Sequence, residues 1–183
     1  NTNGERDYMD KLDIVTDESG NEVVLLPEII FSNKQNINWN DVEDYLGKYV
    51  GELIEIAETR DIIYIGNKFP DEYGGSSYTR KTKGARAKAK ANAAQGIREM
   101  VEIATDKVYR ENHKEKHSED AHNGWFYYVT RFAIPLYNNE KKTGEYNVYS
   151  ACLVVNHAAN GKMYLYDVVG IKKEASNPLK TIK

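Results

Sequence analysis

Cysteine is nearly absent from this chain. The single Cys152 excludes an intrachain disulfide and any zinc site built on cysteines, and its apolar neighbours fit a small buried hydrophobe. No run of about 18 apolar residues occurs, so no membrane-spanning helix is expected. The opening stretch NTNGERDYMDKLDIV is polar and acidic with no apolar secretory core. No signal peptide is therefore expected there, although a piece of a longer protein would look the same. Acidic side chains are missing between Tyr73 and Arg98. A Glu is also missing after His113, where Lys114 stands. That absence removes the zinc-protease spacing from the pair His113 and His117, even with His122, Glu115, Glu119 and Asp120 nearby. No metal and no other cofactor is expected.

The charge that is present is unevenly placed. A net charge of −3 conceals fifteen acidic against five basic residues in positions 1–61, and thirteen against twenty in positions 62–183. This split points to a polyanion-binding body or to packing between complementary halves. With 183 residues, 40% of them hydrophobic, the chain can bury one sizeable core. The expected organisation is an N-terminal extension over 1–22 and a single α+β domain over 23–183.

Gly124 to Ser176 dominates the fold reading. Three runs rich in Tyr, Val, Phe and Ile are separated by NNEKKTGE and AANGK, the pattern of an antiparallel meander with Asn160-Gly161 in its second turn. Upstream, VVLLPEIIF over Val23 to Phe31 reads as a strand interrupted by Pro27. Asn38 or Asn40 caps a helix carrying Trp39, Val42 and Leu46, which Gly51 ends. Leu53 to Ile56 and Asp61 to Ile65 read as two short strands, and Lys68 to Ser77 as a breaker-rich loop. From Thr82 to about Lys107, Ala85, Ala89, Ala93, Ile97, Met100, Ala104 and Val108 form a helical stripe that Gly96 can divide in two. Helix is expected to continue through Tyr109 to His117. The sum is α+β: an antiparallel sheet with a C-terminal three-strand meander packed on one or two central helices.

Two groups of residues carry candidate chemistry. Arg80, Lys81, Lys83, Arg86, Lys88 and Lys90, with Arg98 further on, form a basic run free of acidic sequence neighbours, suited to nucleic-acid phosphates. The same residues would also suit a solvated helix face. Cleavage of RNA without a metal needs a base, an acid and cations for the charged intermediate. His157 shares strand parity with Leu153 and Val155 and ends its strand, Arg131 lies in the first strand of the meander, and Lys172, Lys173 and Ser176 close the last. Tyr127, Tyr149, Tyr164 and Tyr166 are available to stack on bases.

Several segments resemble a family. NWNDVEDYL from Asn38, IYIGNKFPDEY from Ile63, AKAKANAAQGI from Ala87, Gly124-Trp125 with RFAIP from Arg131, and YLYD from Tyr164 with IKKE from Ile171 look like a domain of large polyvalent proteins of phages and mobile elements of gut bacteria. The resemblance covers roughly residues 25–180, and AKAKANAAQGI is its most specific piece. More distantly, helices followed by an antiparallel sheet are similar to the barnase, EndoU, colicin-type and RelE-like nuclease group, in which His, Arg, Lys and Ser or Thr cluster on the sheet. Asn156 stands where that family commonly has a basic residue before the His, and Ala175 where Thr is usual.

The function expected from these readings is a metal-independent ribonuclease-like domain, a possible toxin effector, acting in the bacterial cytoplasm on RNA, with tRNA among the candidate substrates. In it His157 and His117 share proton transfer, Arg131 and Lys173 stabilise the phosphate, Ser176 orients it, and Arg80 to Lys90 grip the backbone. The alternative is a non-catalytic nucleic-acid- or protein-binding module of a larger polypeptide, for which His157 need not meet Arg131 and Lys173. A third is an immunity-type partner protein that masks a basic toxin with an exposed cluster at Asp41, Glu43 and Asp44. None of the three involves a membrane.

Overall fold

The computed structural model describes residues 11–32, 36–111, 123–174 and 178–180. It begins with a hairpin of β1 (Ile14–Thr16) and β2 (Glu22–Leu25), turned by the Asp17 carboxylate, which accepts the N–H groups of Ser19 and Asn21 at 2.9 Å. The sheet therefore reaches back into the stretch expected to be an extension. The strand expected from Val23 to Phe31 stops at Leu25. Past Pro27, the N–H groups of Ile30 and Phe31 bond to the Asn92 side chain at 2.8 and 3.1 Å instead of to a ladder.

Helix α1 (Trp39–Leu46) is capped by Asn38, whose side chain accepts from the N–H groups of Asn40 and Asp41. Val42 and Leu46 are buried, and a 3-10 turn at Gly47–Tyr49 leads to Gly51 at φ 94°. β3 (Leu53–Glu55) and β4 (Ile62–Tyr64) then pair antiparallel, as the sequence pattern indicates.

The segment read as a loop is helical. α2 (Phe69–Gly75) holds Pro70 in its first turn, where a missing N–H loses no intrahelical bond, and α3 (Ser77–Lys81) is capped by the Ser76 hydroxyl. The helix expected next is divided at Gly96 into α4 (Gly84–Ala93), a 3-10 turn at Ala94–Gly96, and α5 (Ile97–Glu102). Ala89, Ala93, Ile97, Met100 and Ala104 of the predicted stripe are buried, whereas Ala85 and Val108 are exposed. Helix does not continue to Lys107. Asp106 takes φ 57°, and Thr105–Arg110 is strand β5, mostly exposed and held by pairing with the strand that follows it.

β6 (Trp125–Asn138), β7 (Lys141–His157) and β8 (Met163–Lys173) are antiparallel neighbours in chain order, and β9 (Leu179–Lys180) pairs with the start of β7. The β6–β7 turn is tighter than the NNEKKTGE segment implies. Only Asn139 and Glu140 form it, both at positive φ, which matches the twist of a hairpin.

The sheet as a whole is mixed, which corrects the antiparallel expectation. β2 lies parallel to β6 and β4 parallel to β8, giving the order β1-β2-β6-β7-β8-β4-β3, with β5 on β6 and β9 on β7. Parallel neighbours require a long crossover, and the helical middle of the chain supplies it. The helices lie against one face. Tyr49 donates to the Ala94 carbonyl and Thr130 to the Met100 carbonyl, each at 2.7 Å, amid a core that includes Ile97, Met100, Phe132, Leu153 and Val155 at 0% exposure.

β6 starts at a backbone position that only glycine fits. Gly124 has φ 96°, and a Cβ there would lie 2.7 Å from the Arg110 carbonyl oxygen. Gly124→Ala is expected to lose about 1–3 kcal/mol of stability from the backbone conformation, with the clash adding to it. A urea midpoint unchanged from the parent would show that the β5–β6 junction relaxes freely.

Candidate nucleic-acid interface

The basic run divides where α4 enters the core. Arg80, Lys81, Lys83 and Arg86 are exposed and Lys88 is half-buried, but from Ala89 to Ile97 every residue is buried. α3 and the first turn of α4 therefore project outward, while the second half of α4 is surrounded by protein. Tyr78, Lys81, Thr82, Lys83, Ala85 and Arg86 line a shallow surface depression. None of the four exposed cations forms an ion pair among the described residues, so their field is not cancelled locally.

Lys90 does not belong to this surface. Its side chain is wholly buried, and its ammonium lies 2.6 Å from an Asp167 carboxylate oxygen, a side chain that is 3% exposed. The rings of Tyr73 and Tyr78 approach the same ammonium, their centroids 4.6 and 5.0 Å away. Asp167 also accepts the Val168 N–H at 2.8 Å. Burial pushes the Asp167 carboxyl up and the Lys90 ammonium down, and each partner's charge opposes the other's shift. Lys90 is thus a core anchor rather than a phosphate contact. The signal for this was Asp167, an acid in the apolar run from Leu165 to Val169, which needs a buried cation.

The strand residues divide into two groups at opposite ends of β7. At one end, Arg131 faces Ser150, Ser150 faces Lys172, and Lys173 faces Tyr149. Arg131 thus lies across β7 from the two lysines, its backbone about 10 Å from that of Lys172. Arg131 is already engaged, its Nε donating to Glu174 at 3.3 Å. At the other end, His157 pairs with Met163, and its ring lies 5.6 Å from that of Phe126. Seven positions of β7 separate His157 from Ser150, roughly 20 Å of strand.

The faces differ as well. Thr130 and Phe132 point to the helices, so Arg131 between them points away, whereas His157 shares the helix face with Phe126 and Val155. Arg131 and Lys173 are therefore not brought to His157. Lys107, which sits over the Phe126 ring at 4.4 Å, is bonded to Asp61 at 2.8 Å. Burial acts to raise the Asp61 carboxyl, but bonds from Lys107, Thr59 and Tyr128 outweigh it and hold it below the usual range. His117 and Ser176 lie outside the described residues, as do His113 and His122.

Two further placements bear on function. The Tyr78 hydroxyl accepts the Ile171 N–H at 2.9 Å, which sets α3 beside the end of β8 that bears exposed Lys172 and Lys173. The basic helix turn and the strand-end lysines, far apart in the sequence, are neighbours. In the acidic third, Asp41 and Asp44 are exposed, but Glu43 is half-buried with its side chain against Gly74. Burial raises the Glu43 carboxyl, and the neighbouring carboxylates of Asp71 and Asp44 act in the same direction.

No family model matches the chain, no curated protein matches it, and no solved structure matches it. Among the described residues no helix is long and apolar enough to cross a membrane.

The anchor role of Lys90 has a measurable consequence. Lys90→Met leaves Asp167 buried without its cation and should lower the unfolding free energy by roughly 3–5 kcal/mol. Adding Asp167→Leu should recover most of that loss, as read from urea midpoints. Equal destabilisation of the single and double variants would mean that the site depends on side-chain shape and not on charge compensation.

Proposed function

We propose that this domain binds nucleic acid through the surface formed by α3, the first turn of α4 and the end of β8, as a non-catalytic module of a larger polypeptide. The observation that carries the reading is the group Arg80, Lys81, Lys83 and Arg86, exposed and without ion pairs around a shallow depression, with Lys172 and Lys173 exposed beside it. Cationic side chains on such a surface displace the counterions condensed on a nucleic-acid backbone and so gain affinity without base-specific contacts. The resemblance to domains of phage and mobile-element polyvalent proteins agrees with a module of this kind.

The ribonuclease reading has one observation in its favour. His157 is half-buried at the end of β7, where a substrate could reach it. It could act as acid or base, but the cations expected to hold the phosphate, Arg131 and Lys173, are at the far end of β7. The binding reading requires no such convergence and is preferred.

Fluorescence anisotropy with labelled RNA and DNA oligonucleotides, titrated across a range of KCl, tests the proposal. The parent should bind with a steep salt dependence. The fourfold variant R80Q/K81Q/K83Q/R86Q should bind more than tenfold more weakly, with the slope of log affinity against log salt smaller by roughly 3, about 0.7 for each single-strand phosphate that is no longer neutralised. His157→Ala should bind like the parent. Parallel incubation of the parent with bacterial RNA in EDTA should leave the RNA intact; discrete cleavage that His157→Ala abolishes would restore the ribonuclease reading. Equal affinity of parent and fourfold variant would remove the basic surface from consideration.

A further inference from the structure

The helices cover one face of the sheet, and the strand pairings identify what the other face carries. One row of paired residues crosses five strands: Tyr64 of β4, Tyr164 of β8, Asn156 of β7, Trp125 of β6 and Arg110 of β5. Next to them along the strands, Ile63, Met163, His157 and Phe126 lie on the helix side, so the row itself lies on the side turned away from the helices. Two positions along β6, Tyr127 pairs with Val154, and Tyr166 stands at the adjacent bulge of β8. Ring contacts agree with this placement. Tyr64 packs on Tyr164 with centroids 5.7 Å apart, Trp125 meets Tyr166 edge to face at 5.0 Å, and the Arg110 guanidinium lies 5.7 Å from the centre of the Tyr127 ring.

The outward positions of a sheet that faces water are ordinarily polar. Here they hold a tryptophan and four tyrosines, and all four tyrosines are only half-buried. Charge narrows the choice of occupant. Arg110 and Lys162 are exposed at this end of the face, and Lys172, paired with Ser150 across from Arg131, is exposed at the other. Arg110, Lys162 and Lys172 form no ion pair among the described residues. Among those residues β6, β7 and β8 place no carboxylate on this face, since Asp167 turns inward to Lys90, and Glu174 at its rim is taken by Arg131. Two copies laid face to face would set cation against cation, which disfavours a symmetric dimer here. Aromatic surface edged by unpaired cations suits a polyanion that carries flat rings.

We propose that the open face of the sheet binds single-stranded nucleic acid, its bases stacked on Tyr127, Tyr164 and Tyr166 and its phosphates toward Arg110, Lys162 and Lys172. The choice of nucleic acid rests on the basic-surface reading above, which this narrows to single strands, because a duplex keeps its bases stacked on one another. Lys172 connects the two surfaces: it lies on the open face at the end of β8 that Tyr78 of α3 reaches. Of the tyrosines expected to stack on bases, Tyr149 is excluded, since it lies on the helix side against Phe132, with ring centroids 5.5 Å apart.

Strands that differ only in their bases test the proposal. A labelled single-stranded DNA and an abasic strand of equal length are titrated with the protein and followed by anisotropy. The parent should bind the intact strand at least tenfold more tightly. Tyr127→Leu and Tyr166→Leu keep an apolar side chain on the sheet and remove the ring. Each should weaken the intact strand about tenfold, leave the abasic strand unchanged and keep the parent's salt slope. Equal affinity of the parent for the two strands would overturn the proposal even if neither variant folded. So would folded variants that retain the parent's preference, or sedimentation showing a parent dimer that either substitution dissolves. Weaker binding by R80Q/K81Q/K83Q/R86Q, with no preference for the intact strand in the parent, would sink this proposal alone. A clear preference in the parent, with the fourfold variant binding as the parent does, would sink the basic-surface reading alone.

Discussion

The buried contact between Lys90 and Asp167 ties α4 to β8 and thereby fixes how the helical middle of the chain sits on the sheet. The surrounding sequence ANAAQG serves the same end. Alanines let α4 and the following turn lie close to their neighbours, and each polar residue reaches a different part of the chain. Lys90 takes Asp167, Asn92 takes the backbone of Ile30 and Phe31, and Gln95 takes the Glu28 carbonyl at 2.9 Å. These bonds are buried or partly buried and their loss leaves a partner unsatisfied, so the string AKAKANAAQGI is explained by packing, before any ligand is considered. A consequence follows for the surface. Because α4 enters the core end-on, only its first turn can present charge, and Arg86 and Lys90, four residues apart on one face, end up in solvent and in the interior.

What could be read from sequence was local. The Asn38 cap, the β3–β4 hairpin, the division at Gly96 and the three long strands each depend on residues within a few positions of one another. The failures involve partners far along the chain. Thr105–Arg110 is charged and mostly exposed, so nothing in its own composition marks a strand; pairing with β6 makes it one. Phe69–Gly75 contains Pro and two glycines and would not be helical alone, but Phe69 and Tyr73 are buried against the core. The parallel pairings of β2 with β6 and β4 with β8 bring together segments separated by most of the helical region, and no periodicity in either segment records that.

The candidate site shows the same division. That Arg80 to Lys88 form a basic, acid-free stretch was visible, as was the shared parity of His157 with Leu153 and Val155. Which residues meet was not. Strand parity gives a face, but position along the strand decides whether two groups can act on one bond, and β7 is 17 residues long. Asn156 appeared in the sequence only as a polar residue preceding a histidine. Its side chain is buried in the wall of a cavity that Tyr164, Tyr166 and Gly66 also line, a placement set by segments far apart in the sequence.

Length of strand therefore discriminates between the functional readings more strongly than residue type. Catalysis by proton transfer requires groups within hydrogen-bond reach of the same atoms, and a spacing of roughly 20 Å along β7 separates Arg131 and Lys173 from His157, with Arg131 on the opposite face as well. Recognition of a polymer has the opposite requirement. A nucleic-acid strand repeats its charge and its bases along its length, so contacts spaced along one rigid element act together, each holding a different nucleotide. On the proposed reading, β8 meets the second requirement through exposed Lys172 and Lys173 beside a basic helix turn, in the same geometry that keeps Arg131 and Lys173 away from His157.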